Sequence, residues 1–357
     1  MICKLKHAFG QMVLLFELLM LGGCDIHEWP SQQEVVPVHL TVPCNVRNLG
    51  WSEVEIWEEN SDDVDMEGNQ TFVEGVKQGK MRYIVRTVPS SSKSRAEREY
   101  YSEEVIIKDV SDLSDLDVSL LLPPGDYDVM VWADYLKPVT DEPYYLAERF
   151  SEIKLHGKHE GNNDNHDALR GVGKISVKAD IYETEPMDID IELQRPLAKF
   201  EFISVDYQMF MGKELQKNKL QTYAGSNDDV TTRVNLDDYK LVFYYVGYRP
   251  DTYSMFTDRP VDAVTGAFFE STIKQLNADE ATLGFDYVFI SDGVSAVTVQ
   301  IGLYDKDGNE ISMTDPIKVP LKRNLHTKVR GKFLTANASG GIAVLPEYEG
   351  DHNLILP

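Results

Sequence analysis

Leu21-Gly22-Gly23-Cys24 sets a cysteine directly behind two glycines and an apolar run. This is the pattern of a bacterial lipobox, in which small residues let a signal peptidase reach the bond before the cysteine. Lys4 and Lys6 supply the basic start of a secretory signal. The apolar run from about Ala8 to Leu21 is too short to cross a bilayer, which takes about 20 residues. Cys24 is therefore the expected lipidation site, its thiol carrying a diacylglycerol and its freed amino group an acyl chain. Two or more chains anchor stably where one does not. Asp25 and Glu28 follow at once, as in surface-export signals. Cys3 leaves with the signal, so Cys44 stands alone. It can form no intrachain disulfide or CxxC site and reads as a small apolar filler.

Other reactive groups are spread without a working arrangement. The eight histidines form no HExxH or HxH pair, and the chain has no GxSxG elbow, P-loop or GxGxxG turn. Asp305, Asp307, Gly308 and Glu310 look like the start of a calcium loop. Its twelfth position is Pro316 rather than a bidentate glutamate, which leaves a hairpin turn. Asn162, Asn163, Asp164, His166 and Asp167 offer oxygen and nitrogen ligands, although Asx-rich loops usually serve their own backbone. No pair among the 59 acidic residues stands out for glycoside hydrolysis. The chain is accordingly expected to have no catalytic residues, no metal and no cofactor. A second possibility is sugar stacking on aromatics, with Trp57, Tyr144 and Tyr145 as candidates and Trp132 and Tyr135 close by in sequence. That would suit a glycan-binding surface lipoprotein of a polysaccharide-uptake system.

The formal charge of −24 argues against nucleic acid, whose phosphates need a basic face. Removing residues 1–23 takes away two lysines and one glutamate and leaves −25. The 357 residues, 42% of them hydrophobic, suffice for two domains with real cores.

Period-two alternation dominates the rest. Val36, Val38, Leu40 and Val42 form one face of a strand, as do Met187, Ile189, Ile191 and Leu193. Pro123-Pro124-Gly125 makes a turn. In the strand after it, Tyr127, Val129, Val131 and Ala133 face one way and Met130 and Trp132 the other, which makes it central. Residues 50–79 are acidic and read as a long solvated loop. Residues 207–219 read as a short helix with Phe210, Met211 and Leu215 inward. Arg195-Pro196 punctuates the chain. The expected organisation is a signal peptide over 1–23, a tether over 24–34, and domains over 35–194 and 195–357. The fold class is all-β, with two antiparallel β-sandwich domains in tandem and at most a short helix.

Several stretches together carry a family resemblance: the lipobox with "CDIHEWP", then "LPPGDYDVMVWADY", "GNNDNHDALRG", "RPLAKFEFIS", "LGFDYVFIS" and "VPLKRNLHTKVRGKFLT". They resemble the FimB-type minor fimbrial, or fimbrillin-anchor, lipoproteins of Bacteroidales, in a branch of unassigned function. The resemblance implies transthyretin-like sandwiches and an outer-membrane lipid anchor on Cys24, exposed at the cell surface. It also implies fimbrial subunits (fimbrillins) as partners, joined by strand exchange. The candidate donor strand is Asn353, Leu354, Ile355 and Leu356, which equally suits closing its own domain.

Overall fold

The computed structural model describes residues 35–43, 51–58, 69–71, 79–90, 101–112, 114–178, 187–224 and 233–336. The strands of the first half are β1 (Val36–Val42), β2 (Trp51–Trp57), β3 (Asn69–Thr71), β4 (Lys80–Pro89), β5 (Ser102–Asp109), β6 (Leu116–Leu122), β7 (Gly125–Tyr135), β8 (Tyr145–Leu146), β9 (Ile153–Leu155), β10 (Ala168–Val177), β11 (Met187–Asp190) and β12 (Leu197–Ser204). Helix α1 (Tyr207–Ala224) follows. Then come β13 (Tyr239–Tyr245), β14 (Tyr248–Ser254), β15 (Arg259–Thr265), β16 (Phe268–Ser271), β17 (Lys274–Gln275), β18 (Ala281–Phe289), β19 (Val294–Asp305), β20 (Glu310–Met313), β21 (Ile317–Lys322) and β22 (Leu325–Gly331). Among the described residues the fold is all-β with one α-helix.

Two pairs of sheets each enclose a core. Sheet β11-β1-β6 covers one face of sheet β10-β7-β4-β5. Val38, Leu40, Val118, Leu120, Val129 and Val131 meet between them. Sheet β17-β18-β12-β22-β2-β3 covers sheet β16-β13-β19-β20, with β21 joined to β19. Phe200, Phe202, Phe243, Leu283, Ile301 and Val329 fill that space. A third core lies on the other face of β7, where Met130 and Trp132 meet Tyr145, Phe150, Tyr253 and Phe289. The strand read as central is thus buried on both faces. Strand β11 keeps its expected alternation, with Asp188 and Asp190 exposed.

Three sequence readings are corrected. The pairing is not purely antiparallel: β1–β11, β12–β22 and β2–β22 run parallel. The 50–79 segment is not solvated throughout, because β2 inserts beside β22 with Trp51 and Ile56 buried. Its acidic residues have partners there: Glu53 lies 2.9 Å from Lys328 and Glu55 3.3 Å from Arg330. Strand β2 thereby pairs outside the 35–194 range, as does β9 with β14. Helix α1 runs on to Ala224 rather than stopping at 219.

The Asx-rich loop is consumed by structure. Asn162 Nδ2 donates to Ser271 Oγ at 2.9 Å while its Oδ1 accepts from the Phe285 amide. Asn163 caps a single 3₁₀ turn, accepting from the Asn165 amide. Asp164 accepts from Lys199 and from the Tyr287 hydroxyl. Asp167 takes Arg195 Nε on both oxygens, at 3.0 and 3.1 Å, and both residues are buried. Asp305 caps its own hairpin turn, accepting from the Asp307 and Asn309 amides. Gly308, at φ 82°, supplies the left-handed residue that turn requires.

Removing one member of a buried pair leaves the other charge uncompensated. Asp167→Ala is expected to lower stability by about 3–5 kcal/mol, measured by urea unfolding. A pH dependence follows as well. Burial holds the His166 imidazole down at about 4, and the unfolded ring titrates near 6.5. Between those values the unfolded chain binds the extra proton, so stability is full above the upper value and falls as pH drops through the window. His166→Gln should flatten the urea midpoint against pH in that range.

Candidate docking edge

The amino-terminal sandwich has one closed side and one open side. On the closed side, Gly171 and Gly173 of β10 give way to the chain running on from β11. A Cβ on Gly171 would lie 2.4 Å from Ile191 Cγ2, and one on Gly173 2.9 Å from Ile189 Cδ1. Arg170 and Gln194 then exchange both backbone hydrogen bonds at 2.8 Å. Ile191 and Leu193 are buried there and seal the seam.

The open side is formed by β5 and β6. Each ends its sheet, β5 pairing with β4 and β6 with β1. Strand β5 has Ile106 against the core, while Val105 and Ile107 point the other way, 50% and 55% exposed. Tyr101, just before β5, is exposed and meets the Tyr127 ring edge-on at 5.8 Å. On β6, Leu116, Val118, Leu120 and Leu122 are buried while Leu121 is 61% exposed. Among the described residues both edges lack a further strand, and with exposed branched side chains beside them they make a template for one.

Acidic groups surround this seam. Hydrogen bonds from Ser111 and from Ser114 hold the Asp109 and Asp112 carboxyls below their ordinary value. Glu103 pairs with Arg86, and Asp117 and Glu104 remain at the surface. Lys108 is held locally by Ser114 Oγ at 2.9 Å and by Asp112 at 3.5 Å. A strand entering here would suit apolar alternation with basic residues outward.

The sugar-stacking candidates do not come together. Trp57 is 51% exposed at the end of β2. Tyr144 is half-buried with its ring 5.3 Å from His166. Tyr145 is a correction: its ring is buried against Trp132 and Phe289, and its hydroxyl donates to the His166 carbonyl at 2.6 Å. A bulky ring on a β strand was needed to fill the third core, so it has no face left for a ligand. Cys24, Cys44 and the donor candidates Asn353, Leu354, Ile355 and Leu356 lie outside the described residues. The run 100–109 reads as a strand from its sequence and is one, but its place at the end of a sheet leaves no local mark beyond Val105-Ile106-Ile107, which offers apolar groups to both faces.

Among the described residues, no group of three or more His, Cys, Asp or Glu side chains could hold a metal ion. No described helix is long and apolar enough to cross a membrane.

A family model matches residues 56–357. The chain belongs to DUF6562, a family of unknown function. No curated protein matches. Among solved structures, the fimbrial anchor protein Mfa2 from Porphyromonas gingivalis is similar at 11% identity and a TM-score of 0.37, covering 79% of this chain and 82% of that one. A fimbrial assembly protein from Parabacteroides distasonis is similar at 9% identity and a TM-score of 0.36, covering 83% and 90%. The tip fimbrial protein Mfa3 from Porphyromonas gingivalis, truncated at its carboxyl terminus, is similar at 12% identity and a TM-score of 0.34, covering 80% and 81%.

Lysine on an exposed edge strand discourages pairing with another chain. A Val105→Lys/Ile107→Lys variant should keep its unfolding free energy within about 0.5 kcal/mol per exposed site. The same variant should lose any partner captured at this edge, as read by pull-down from cell envelopes beside the wild type.

Proposed function

We propose that this protein is a non-enzymatic, lipid-anchored accessory subunit of a surface fimbria. The open β5–β6 seam is the observation that carries the reading. Its unpaired backbone groups would hydrogen-bond a strand of a fimbrial subunit, and its apolar residues would receive alternate side chains of that strand. Lipid on Cys24 would hold the chain in the outer membrane, with residues 24–34 as tether and the sandwiches facing the medium. The sequence resemblance to fimbrillin-anchor lipoproteins supports the same assignment. In this reading the apolar segment Asn353–Leu356 is available for donation to a neighbouring subunit.

Two measurements test it. Cells fed a clickable fatty acid should label the wild-type chain and not a Cys24→Ala variant; label on that variant sinks the lipid anchor. Crosslinking in intact cells, followed by affinity purification, should recover a fimbrillin with the wild type and much less with Val105→Lys/Ile107→Lys. Repeated recovery of the protein alone would remove the docking role.

A further inference from the structure

The second sandwich carries a row of rings on its outer surface. Phe269 points inward and stacks on Phe243 at 4.6 Å, so its neighbour Phe268 points out and is 43% exposed. Tyr244 sits directly opposite Phe268 in the β13–β16 register, with ring centroids 6.4 Å apart and planes inclined by 38°. The Tyr244 hydroxyl lies 3.1 Å from the Tyr304 hydroxyl on β19. Tyr304 reaches across Gly302, where a Cβ would come within 2.7 Å of the ring. The missing side chain lets that ring lie down on the sheet. Three strands thus present one shallow aromatic surface.

A pocket of about 240 Å³ adjoins this surface, lined by Lys158, His159, Glu160, Phe268, Phe269 and Glu270. Its polar groups mix donors and acceptors. The Lys158 ammonium stands 6.0 Å from the Phe268 ring centroid, and Glu270 pairs with the half-exposed Lys240. His159 uses Nε2 on Asp286 at 2.7 Å, while its buried Nδ1 has no hydrogen-bond partner among the described residues. A buried polar atom left without a partner calls for a bound water or ligand.

We propose that this face binds a neutral glycan, with sugar rings on Phe268 and Tyr244 and one unit entering the pocket. Flat rings with mixed polar groups at their edge match a ligand that is apolar on its faces and both donates and accepts at its rim. Hydroxyls do both, whereas apolar side chains would offer nothing to Lys158 and Glu160 at the rim. A polyanion is disfavoured by Glu160 and Glu270 and by the formal charge of −24. The site lies on a different sandwich from the docking edge and does not depend on it.

Affinity electrophoresis of the lipid-free chain through gels containing glucomannan, xylan, pullulan or dextran tests the proposal, with dextran sulfate as the charged control. Retardation by at least one neutral polysaccharide is expected. Phe268→Ala or Tyr244→Ala should weaken it about tenfold with the melting midpoint unchanged, and Phe268→Trp should retain it. Val105→Lys/Ile107→Lys should bind like the wild type. No retardation by any neutral polysaccharide would overturn the proposal. So would wild-type binding by a folded Phe268→Ala/Tyr244→Ala variant, or a preference for dextran sulfate over dextran.

Discussion

The two sandwiches are held in one pose by charges buried between them. Arg195 donates Nε to both oxygens of Asp167, lays its guanidinium 4.1 Å from the Trp51 ring centroid and gives Nη1 to Asn324 at 2.6 Å. These partners come from the Asx-rich loop, from β2 and from the turn before β22. Desolvating such a pair costs several kcal/mol per ion, and the cost is offset only when the remaining hydrogen bonds are made. A small slip between the sandwiches would break them. Asp286 repeats the arrangement: its burial pushes the carboxyl up, yet His159, Arg249 and the Tyr245 hydroxyl together hold it down at about 2. Apolar contact in the third core supplies attraction without direction; the charges select the angle. In the role proposed above, a rigid spacer would need that selection.

Local pattern made much of the fold legible. Alternation in β1, β7 and β11 gave faces that the cores confirm, and the Asp305–Asn309 turn is where Asp and Gly place it. Long-range pairing left no local mark. Ser52 pairs with Leu325 and Trp57 with Arg330, across nearly the whole chain. Glu53 and Glu55 look like solvating residues until β22 brings Lys328 and Arg330 beside them. Tyr145 looks like a surface ring for the same reason: Trp132 on β7 and Phe289 on the distant β18 bury it. The functional surfaces were harder still, because exposure is a property of the assembled sheets. Phe268 and Phe269 are identical in type and adjacent, and only the register of β16 against β13 decides which one is core.

The edges of these sheets are not equivalent, and the contrast bears on where another chain would pair. Strand β21 carries Lys318, Pro320 and Lys322, and proline and lysine both discourage an incoming strand. Strand β17 is two residues long, and β10 is sealed by Ile191 and Leu193. Strand β5 has none of these protections along its middle: eight residues without proline, bulge or central lysine, and Val105 and Ile107 in the open. Its one lysine is near the end and turned back onto Ser114. An isolated molecule gains nothing from such an edge and risks aggregation through it. In the proposed docking role, a strand arriving from elsewhere would cover it.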